Sequence, residues 1–205
     1  MCPGQYGSSQ RAGPPTDFDY SLEAHADAPA ATLTYAGVIG AELVAHSMGG
    51  SVAVVLAARH PQLVSRLVLV DANLDPLTPA PGAPGSSGIA ALSEPDFLAG
   101  GWQQTRDLAG PHWWATMRLA GLEALHRSAV QLTRGTTPTM RELLLELSIP
   151  RAFLFPHPDG APAGAAALAE AGVRLVAVPD CGHNIMLDNP DAFARAAATA
   201  LSAAA

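Results

Sequence analysis

The sequence predicts an α/β fold: a partial, doubly wound parallel sheet with a helical insert. Four short apolar runs, in which hydrophobic residues do not alternate with polar ones, are typical of strands that helices cover on both faces. The runs are residues 43–45, 67–71, 152–155 and 175–178. Helical patterns separate them, and this alternation indicates a parallel sheet. With 205 residues and 49% hydrophobic content, the chain is long enough to bury a sizeable core.

The first half of the predicted sheet begins after a helix. An amphipathic pattern predicts that helix over residues 19–35, and Pro29 is expected to kink or break it. The first strand then turns sharply through residues 46–49 into an apolar helix that Pro61 stops. The second strand, residues 67–71, follows that helix.

A change of composition marks the insert. Residues 76–88 are rich in proline and glycine, which predicts a linker, and the pattern over residues 89–147 is helical. We therefore predict a core formed by residues 1–75 and 148–205, with a helical insert over residues 76–147.

The chain returns to the sheet after the insert. The third strand precedes a predicted helix near residues 163–171, which Gly172 ends. The fourth strand leads through a loop into an alanine-rich final helix. Asn189, Pro190 and Asp191 open that helix, because asparagine caps, proline suits the first turn and aspartate meets the helix dipole.

Charge and composition exclude several classes of function. A net charge of −7 with scattered acidic residues argues against a nucleic-acid surface. Cys2 and Cys181 are the only cysteines, so no disulfide framework is implied and a reducing compartment is expected. The apolar runs are too short to span a membrane, and residues 1–20 contain no secretory core, so we predict a cytoplasmic protein without membrane contact. No metal site, nucleotide loop or flavin signature is visible, and no cofactor is implied.

One motif carries a family resemblance. Residues 45–49, Ala-His-Ser-Met-Gly, match the Gly-x-Ser-x-Gly nucleophile elbow, in which a strand-to-helix turn exposes a serine above the sheet edge. Small residues two before and two after the serine fit the elbow, because the backbones approach closely there. On these residues the chain resembles the α/β-hydrolase family, closest to its single-domain esterase, lipase and acyl-hydrolase branch.

The resemblance implies a Ser-His-Asp triad. Ser47 is the expected nucleophile, and His183, which follows the last strand in a Gly-His loop, is the expected base. The family usually supplies the acid in a Gly-x-x-Asp turn after the third strand visible here. Asp159 occupies that place, although proline replaces the glycine of the turn. Asp71 or Asp75, after the second strand, is the alternative, because some branches of the family place the acid there.

The resemblance also implies an oxyanion site and a substrate pocket. The N–H of Met48 is the expected first oxyanion donor. The insert corresponds to the family's cap over the active site, with His46, Trp113 and Trp114 as expected pocket residues. Trp113 and Trp114 fit the insert's own core equally well.

The resemblance covers nearly all of this chain but about the C-terminal two-thirds of the usual domain. Residues 3–9 are similar to the loop after the family's fourth strand, with Met1 at its aspartate, and nothing before residue 41 resembles the first four strands. The His-Gly pair that supplies the second oxyanion donor in the family does not occur in the sequence. We therefore expect an N-terminally truncated form of the fold, in which residues 41–45 form an unpaired edge available for self-association.

The expected function is that of a serine hydrolase. A serine nucleophile distinguishes the chain from the dehalogenases and epoxide hydrolases of this fold, which carry aspartate at that position. We expect a small-molecule acyl substrate, a small and largely apolar ester, to be cleaved through an acyl-enzyme. The alternative is a truncated, catalytically impaired remnant or a binding module of the same fold.

Overall fold

The structure is a computed structural model that describes residues 18–202. Within this range one sheet contains four parallel strands in the order β1-β2-β3-β4. They are β1 (Ala41–His46), β2 (Val64–Val70), β3 (Arg151–Pro156) and β4 (Val173–Val178). Each strand contains or overlaps one of the predicted apolar runs, so the α/β fold class is confirmed. The loop proposed at residues 3–9 lies outside the described residues.

Helices connect the strands and form the insert. In the described part of the chain the α-helices are α1 (Leu22–Tyr35), α2 (Met48–Arg59), α3 (Gly85–Ala90), α4 (Glu94–Asp96), α5 (Trp102–Met117), α6 (Leu122–Arg134), α7 (Met140–Glu146), α8 (Ala165–Glu170), α9 (Ile185–Asp188) and α10 (Pro190–Ser202). Short 3₁₀ turns occupy Pro61–Leu63 and His157–Asp159, and a π-helical turn occupies Phe97–Gly101. α1 continues through Pro29, whereas α5 is interrupted at Gly110, where φ is 72° and ψ is 170°.

The described residues divide into two compact units. The sheet unit comprises Ala30–Leu74 and the residues from Pro138 onward, and the helical unit comprises Asp75–Thr137 with the residues up to Pro29. α7, which the sequence analysis placed in the insert, belongs to the sheet unit. The N–H of Arg141 at its start donates to the carbonyl of Leu74 at 2.9 Å, and its residues Met140 and Leu144 are fully buried.

Both faces of the sheet are covered by helices, as the non-alternating strands predicted. α2 packs on β1 and β2 on one side, and its buried residues are Met48, Gly50 and all of residues 51–57. α10 packs on β2, β3 and β4. The core there includes the apolar residues Val68, Val70, Leu154, Val178, Ile185 and Ala197. This packing fixes the chain segment between β4 and α10.

The helical unit has a small core of its own. Its buried members are Ile89, Phe97, Ala120, Leu125 and Ala129. α6 supplies two of these residues and also buries His126 and Ser128. No helix in residues 18–202 is both long and apolar enough to cross a membrane.

Among the described strands, β1 lies at an edge of the sheet, as the sequence analysis expected. The side chains of Ile39, just before β1, and Val44, within it, are 81% and 45% exposed. Self-association through this edge stays a prediction.

Candidate active site

The order of the strands brings three side chains together at the carboxyl end of the sheet. Because the strands are parallel, their carboxyl ends lie on the same side, where ligands bind in open α/β sheets. Ser47 directly follows β1, Asp71 directly follows β2, and His183 follows β4 after four further residues. Residues far apart in the sequence therefore lie close together at the carboxyl end of the sheet.

The three side chains form a continuous line of hydrogen bonds. Nδ1 of His183 lies 2.6 Å from Oδ2 of Asp71, and Nε2 of His183 lies 3.1 Å from Oγ of Ser47. A carboxylate can only accept, so Nδ1 carries the proton of the neutral ring. Nε2 then carries no proton and can accept that of the Ser47 hydroxyl, which is the arrangement that a serine nucleophile requires. The side chains of His183 and Asp71 remain 36% and 28% exposed.

The carboxylate at His183 is that of Asp71, not the favoured Asp159. The sheet order explains this difference. β2 lies next to β1, so the residue after β2 is adjacent to the turn that carries Ser47, whereas β3 is one strand further away. Asp159 ends the exposed 3₁₀ turn after β3. The other alternative, Asp75, is an exposed residue four positions beyond Asp71.

The backbone around these side chains is strained. Four non-glycine residues in the described chain have positive φ, and three of them lie at the carboxyl ends of strands: Ser47 (52°), Asp71 (40°) and Asp180 (52°). Such conformations cost free energy and persist where the surrounding structure enforces them, often at functional sites. A strained strand-to-helix turn of this kind is typical of a nucleophile elbow, and that role of Ser47 stays a prediction.

A glycine allows α2 to approach the Asp71 segment. A Cβ atom at Gly50 would lie 2.3 Å from Cβ of Ala72, whereas one at Gly49 would meet no atom within 4 Å. The close approach expected two residues after Ser47 therefore occurs three residues after it. It keeps the Asp71 segment beside the elbow helix.

The N-terminus of α2 supplies the expected oxyanion donor. Met48 is the first residue of α2. The first N–H groups of a helix have no intrahelical acceptor and are available to an anion. The oxyanion role of Met48 stays a prediction.

The loop that carries His183, residues 179–189, is called the histidine loop here. Two side chains near its end brace it: Oδ2 of Asp188 accepts from the N–H of Gly182 at 2.9 Å, and Nδ2 of Asn189 donates to the carbonyl of Pro179 at 3.0 Å. Asp188 and Asn189 follow the Gly-His pair by a few residues in the sequence. Their bracing role depends on the closed loop, which no sequence spacing reveals.

His46 contacts the same loop from β1. Its Nε2 lies 2.8 Å from the backbone carbonyl of His183, and the two imidazole centroids are 4.6 Å apart at 44°. Burial lowers the pKa of His46, and the nearby imidazole of His183 lowers it further. His46 is therefore neutral near pH 7 and donates through Nε2. The sequence analysis placed it in the substrate pocket and did not foresee this bond.

The two candidate pocket tryptophans make contacts within the helical unit. The rings of Trp114 and Trp102 stack with centroids 6.0 Å apart at 16°. Trp113 lies against Gly85, where an added Cβ would come within 2.7 Å of its ring. Their role as pocket lining stays a prediction.

No group of three or more His, Cys, Asp or Glu side chains in residues 18–202 is arranged to hold a metal ion. Cys181 is buried, and its thiol lies 3.3 Å from the carbonyl of Val178. Burial raises the pKa of this thiol, which keeps it protonated and structural.

Solved structures share this fold. An esterase from Exiguobacterium antarcticum superposes with a TM-score of 0.71 at 20% identity, covering 90% of this chain and 75% of that one. A hydrolase from Pseudomonas aeruginosa gives a TM-score of 0.68 at 22% identity, with 94% and 75% covered. The N-acyl homoserine lactonase AidH gives 0.63 at 16% identity, with 94% and 75% covered. At these identities the likeness shows the fold alone.

Sequence comparisons identify the family. The sn-1-specific diacylglycerol lipase ABHD11 of Mus musculus is 38% identical over 78 residues, which is 38% of this chain and 25% of that protein. The matched segment thus spans about a quarter of that relative's length. The profile described as "Alpha/beta hydrolase family" matches residues 2–196. The chain belongs to the alpha/beta hydrolase family.

Proposed function

We propose that this protein is a serine hydrolase that cleaves a small, largely apolar ester through an acyl-enzyme. The supporting observation is the hydrogen-bonded series Asp71–His183–Ser47, with distances of 2.6 and 3.1 Å. The proposed roles are Ser47 as nucleophile, His183 as general base and acid, and Asp71 as the carboxylate that orients His183.

Acylation starts at the serine hydroxyl. Oγ of Ser47 forms a bond to the carbonyl carbon of the ester while its proton passes to Nε2 of His183. The carbonyl oxygen becomes an oxyanion, which the N–H of Met48 stabilises. The carbon–oxygen bond to the alcohol then breaks, and the leaving oxygen takes the proton from Nε2. Asp71 stabilises the imidazolium that exists between these two transfers.

Deacylation repeats the same steps with water. Nε2 of His183 removes a proton from water as its oxygen attacks the acyl carbon of the Ser47 ester. The tetrahedral intermediate collapses, the carboxylic acid leaves, and Oγ of Ser47 recovers its proton from Nε2. The enzyme returns to its starting protonation state, and one water molecule is consumed per ester cleaved.

The names of three relatives support the choice of an ester bond in this proposal. An esterase, a lactonase and a diacylglycerol lipase are named among the proteins that the chain resembles. Lactones and acylglycerols are esters, so these names have one bond type in common.

Covalent labelling and ester hydrolysis test this proposal together. We expect a fluorophosphonate probe to label the wild-type chain at Ser47, and we expect hydrolysis of p-nitrophenyl butyrate. Ser47→Ala should abolish the labelling and lower kcat by at least about 10³-fold, because the nucleophile is lost. Ser202→Ala, at an exposed position of α10, is the matched control and should retain both.

Two outcomes would contradict the proposal. One is equal hydrolysis by wild type and Ser47→Ala, which would assign turnover to another group or to a contaminant. The other is a folded wild-type chain that neither reacts with the probe nor turns over esters. The second outcome favours the non-catalytic binding module.

A further inference from the structure

We propose that His46 is a positioning residue, whose Nε2–H holds the backbone of His183 against the end of the strand that carries the nucleophile. The inference depends on the proposed hydrolase function, because it assigns a role in that reaction. The bond from His46 reaches the backbone carbonyl of His183, whereas the proton in transfer passes to Nε2 of that residue. His46 acts through His183.

The geometry gives His183 two attachments to consecutive residues of β1 and its turn. Ser47 contacts the ring at Nε2, 3.1 Å away, and His46 contacts the backbone carbonyl of the same residue at 2.8 Å. His183 is therefore held at Nε2 of its ring and at its backbone carbonyl, by two residues that are adjacent in the sequence. A shift of the histidine loop away from β1 would lengthen both contacts.

The two bonds that brace the histidine loop have a different role. Those of Asp188 to Gly182 and Asn189 to Pro179 join residues within the loop, so they fix its shape. Neither of these two bonds joins the loop to β1. The bond from His46 crosses from β1 to the loop and joins residues separated by 137 positions.

The chemistry of His46 suits a permanent donor. A backbone carbonyl accepts only, so the bond requires a proton on Nε2. The ring faces His183 from the histidine loop and is influenced by the charge of Asp71 after β2. Burial keeps the ring neutral near pH 7, and a neutral ring does not repel the imidazolium that forms on His183 during the reaction. Small displacements of a general base cost large factors in rate, so one such bond affects turnover.

Two substitutions separate the N–H donor from the bulk of the ring. His46→Phe keeps a planar ring of similar size and removes the donor, whereas His46→Gln keeps an N–H donor on a flexible side chain. We expect His46→Phe to lower kcat for p-nitrophenyl butyrate by about 10- to 100-fold with KM within about twofold, because positioning acts on the transition state. His46→Gln should recover most of the loss. His157→Phe, in the exposed turn after β3, is the matched control and should behave as wild type.

A second measurement separates this inference from the proposed function. Nδ1 of His183 lies 2.6 Å from Oδ2 of Asp71, so the proton on Nδ1 should give a downfield resonance in ¹⁵N-histidine-labelled protein. We expect that resonance to broaden or disappear in His46→Phe and to persist in His46→Gln and His157→Phe, whether or not the chain turns over esters. Circular dichroism establishes that each variant is folded.

The outcomes are distinct. Wild-type kcat and an unchanged His183 resonance in His46→Phe would overturn the inference and leave the hydrolase proposal intact. Failure of His46→Gln to recover either readout would overturn the role of the donor. An inactive wild type whose resonance is lost in His46→Phe would overturn the hydrolase proposal but support positioning of His183 by His46.

Discussion

At the scale of single residues, Asp71 is the group whose replacement tests the triad most directly. Its carboxylate lies 2.6 Å from Nδ1 of His183. In the proposed mechanism it selects the ring tautomer and stabilises the imidazolium. Asp71→Asn removes the negative charge and allows the amide to favour the wrong tautomer. We expect kcat for p-nitrophenyl butyrate to fall by about 10³- to 10⁴-fold.

Asp159→Asn is the matched control for that prediction. Both substitutions neutralise a carboxylate shortly after a strand of the same sheet, but Asp159 lies in an exposed 3₁₀ turn. We expect kcat of Asp159→Asn to lie within about twofold of wild type, since substitutions at exposed positions outside a site have small effects. The reverse pattern, with a large loss only in Asp159→Asn, would return the orienting role to Asp159.

The sequence located two of these side chains and left the third open for a physical reason. Ser47 and His183 lie in local motifs, and the structure brings them to 3.1 Å. The acid has no such local signature, because an aspartate follows both β2 and β3. The order of strands decides which carboxylate reaches the histidine, and this order is a tertiary property. His46 is adjacent to Ser47 in the sequence, but its bond to a carbonyl 137 positions away lies beyond any local pattern.

At the scale of elements, the contact between α2 and the end of β2 depends on Gly50. An added Cβ there would lie 2.3 Å from Cβ of Ala72 and 3.4 Å from the carbonyl of Ala45. Gly50→Ala must push α2 away from the segment that carries Asp71. We expect the free energy of unfolding in urea to fall by about 1–3 kcal/mol. The rate of fluorophosphonate labelling should fall with it.

Gly49→Ala is the control at the adjacent position. Its Cβ would meet no atom within 4 Å, and alanine is favoured over glycine in a helix by about 0.5–1 kcal/mol. We expect unchanged or slightly higher stability. If the two variants lose stability equally, close packing at Gly50 is not the cause, and the elbow would need glycine at both positions for backbone reasons.

The elements themselves were largely predictable because burial constrains their composition. Strands covered on both faces must be apolar throughout, and residues 67–70 of β2 are all 0% exposed. The effect of Pro29 was not predictable in the same way. Proline removes one N–H from the helix, but the buried Ala26 and Ala30 around it anchor α1, which continues to Tyr35. Packing outweighs local propensity there.

At the scale of the whole molecule, stability should depend on pH through a histidine outside the site. His25 of α1 is fully buried, and its Nε2 lies 3.1 Å from Oγ of Ser128 in α6. Burial lowers the pKa of His25 from 6.5 to about 4. Between these two values the unfolded chain binds a proton that the folded chain does not. Stability is therefore fully present above about pH 6.5 and is lost as the pH falls towards 4.

The shift implies a loss of about 2 kcal/mol of unfolding free energy from His25 between pH 7 and pH 5. His25→Gln has no proton to gain, so its stability should decline less over this interval, even if it starts lower at pH 7. Urea unfolding at the two pH values measures the difference for each protein, and His157→Gln controls for loss of a histidine from an exposed turn. For each protein, the change in unfolding free energy between pH 7 and pH 5 reports protonation alone, because the packing cost of the substitution is the same at both pH values. If wild type and His25→Gln lose the same amount of stability between the two pH values, protonation of His25 does not destabilise the fold. The pKa of His25 would then not be lowered by burial.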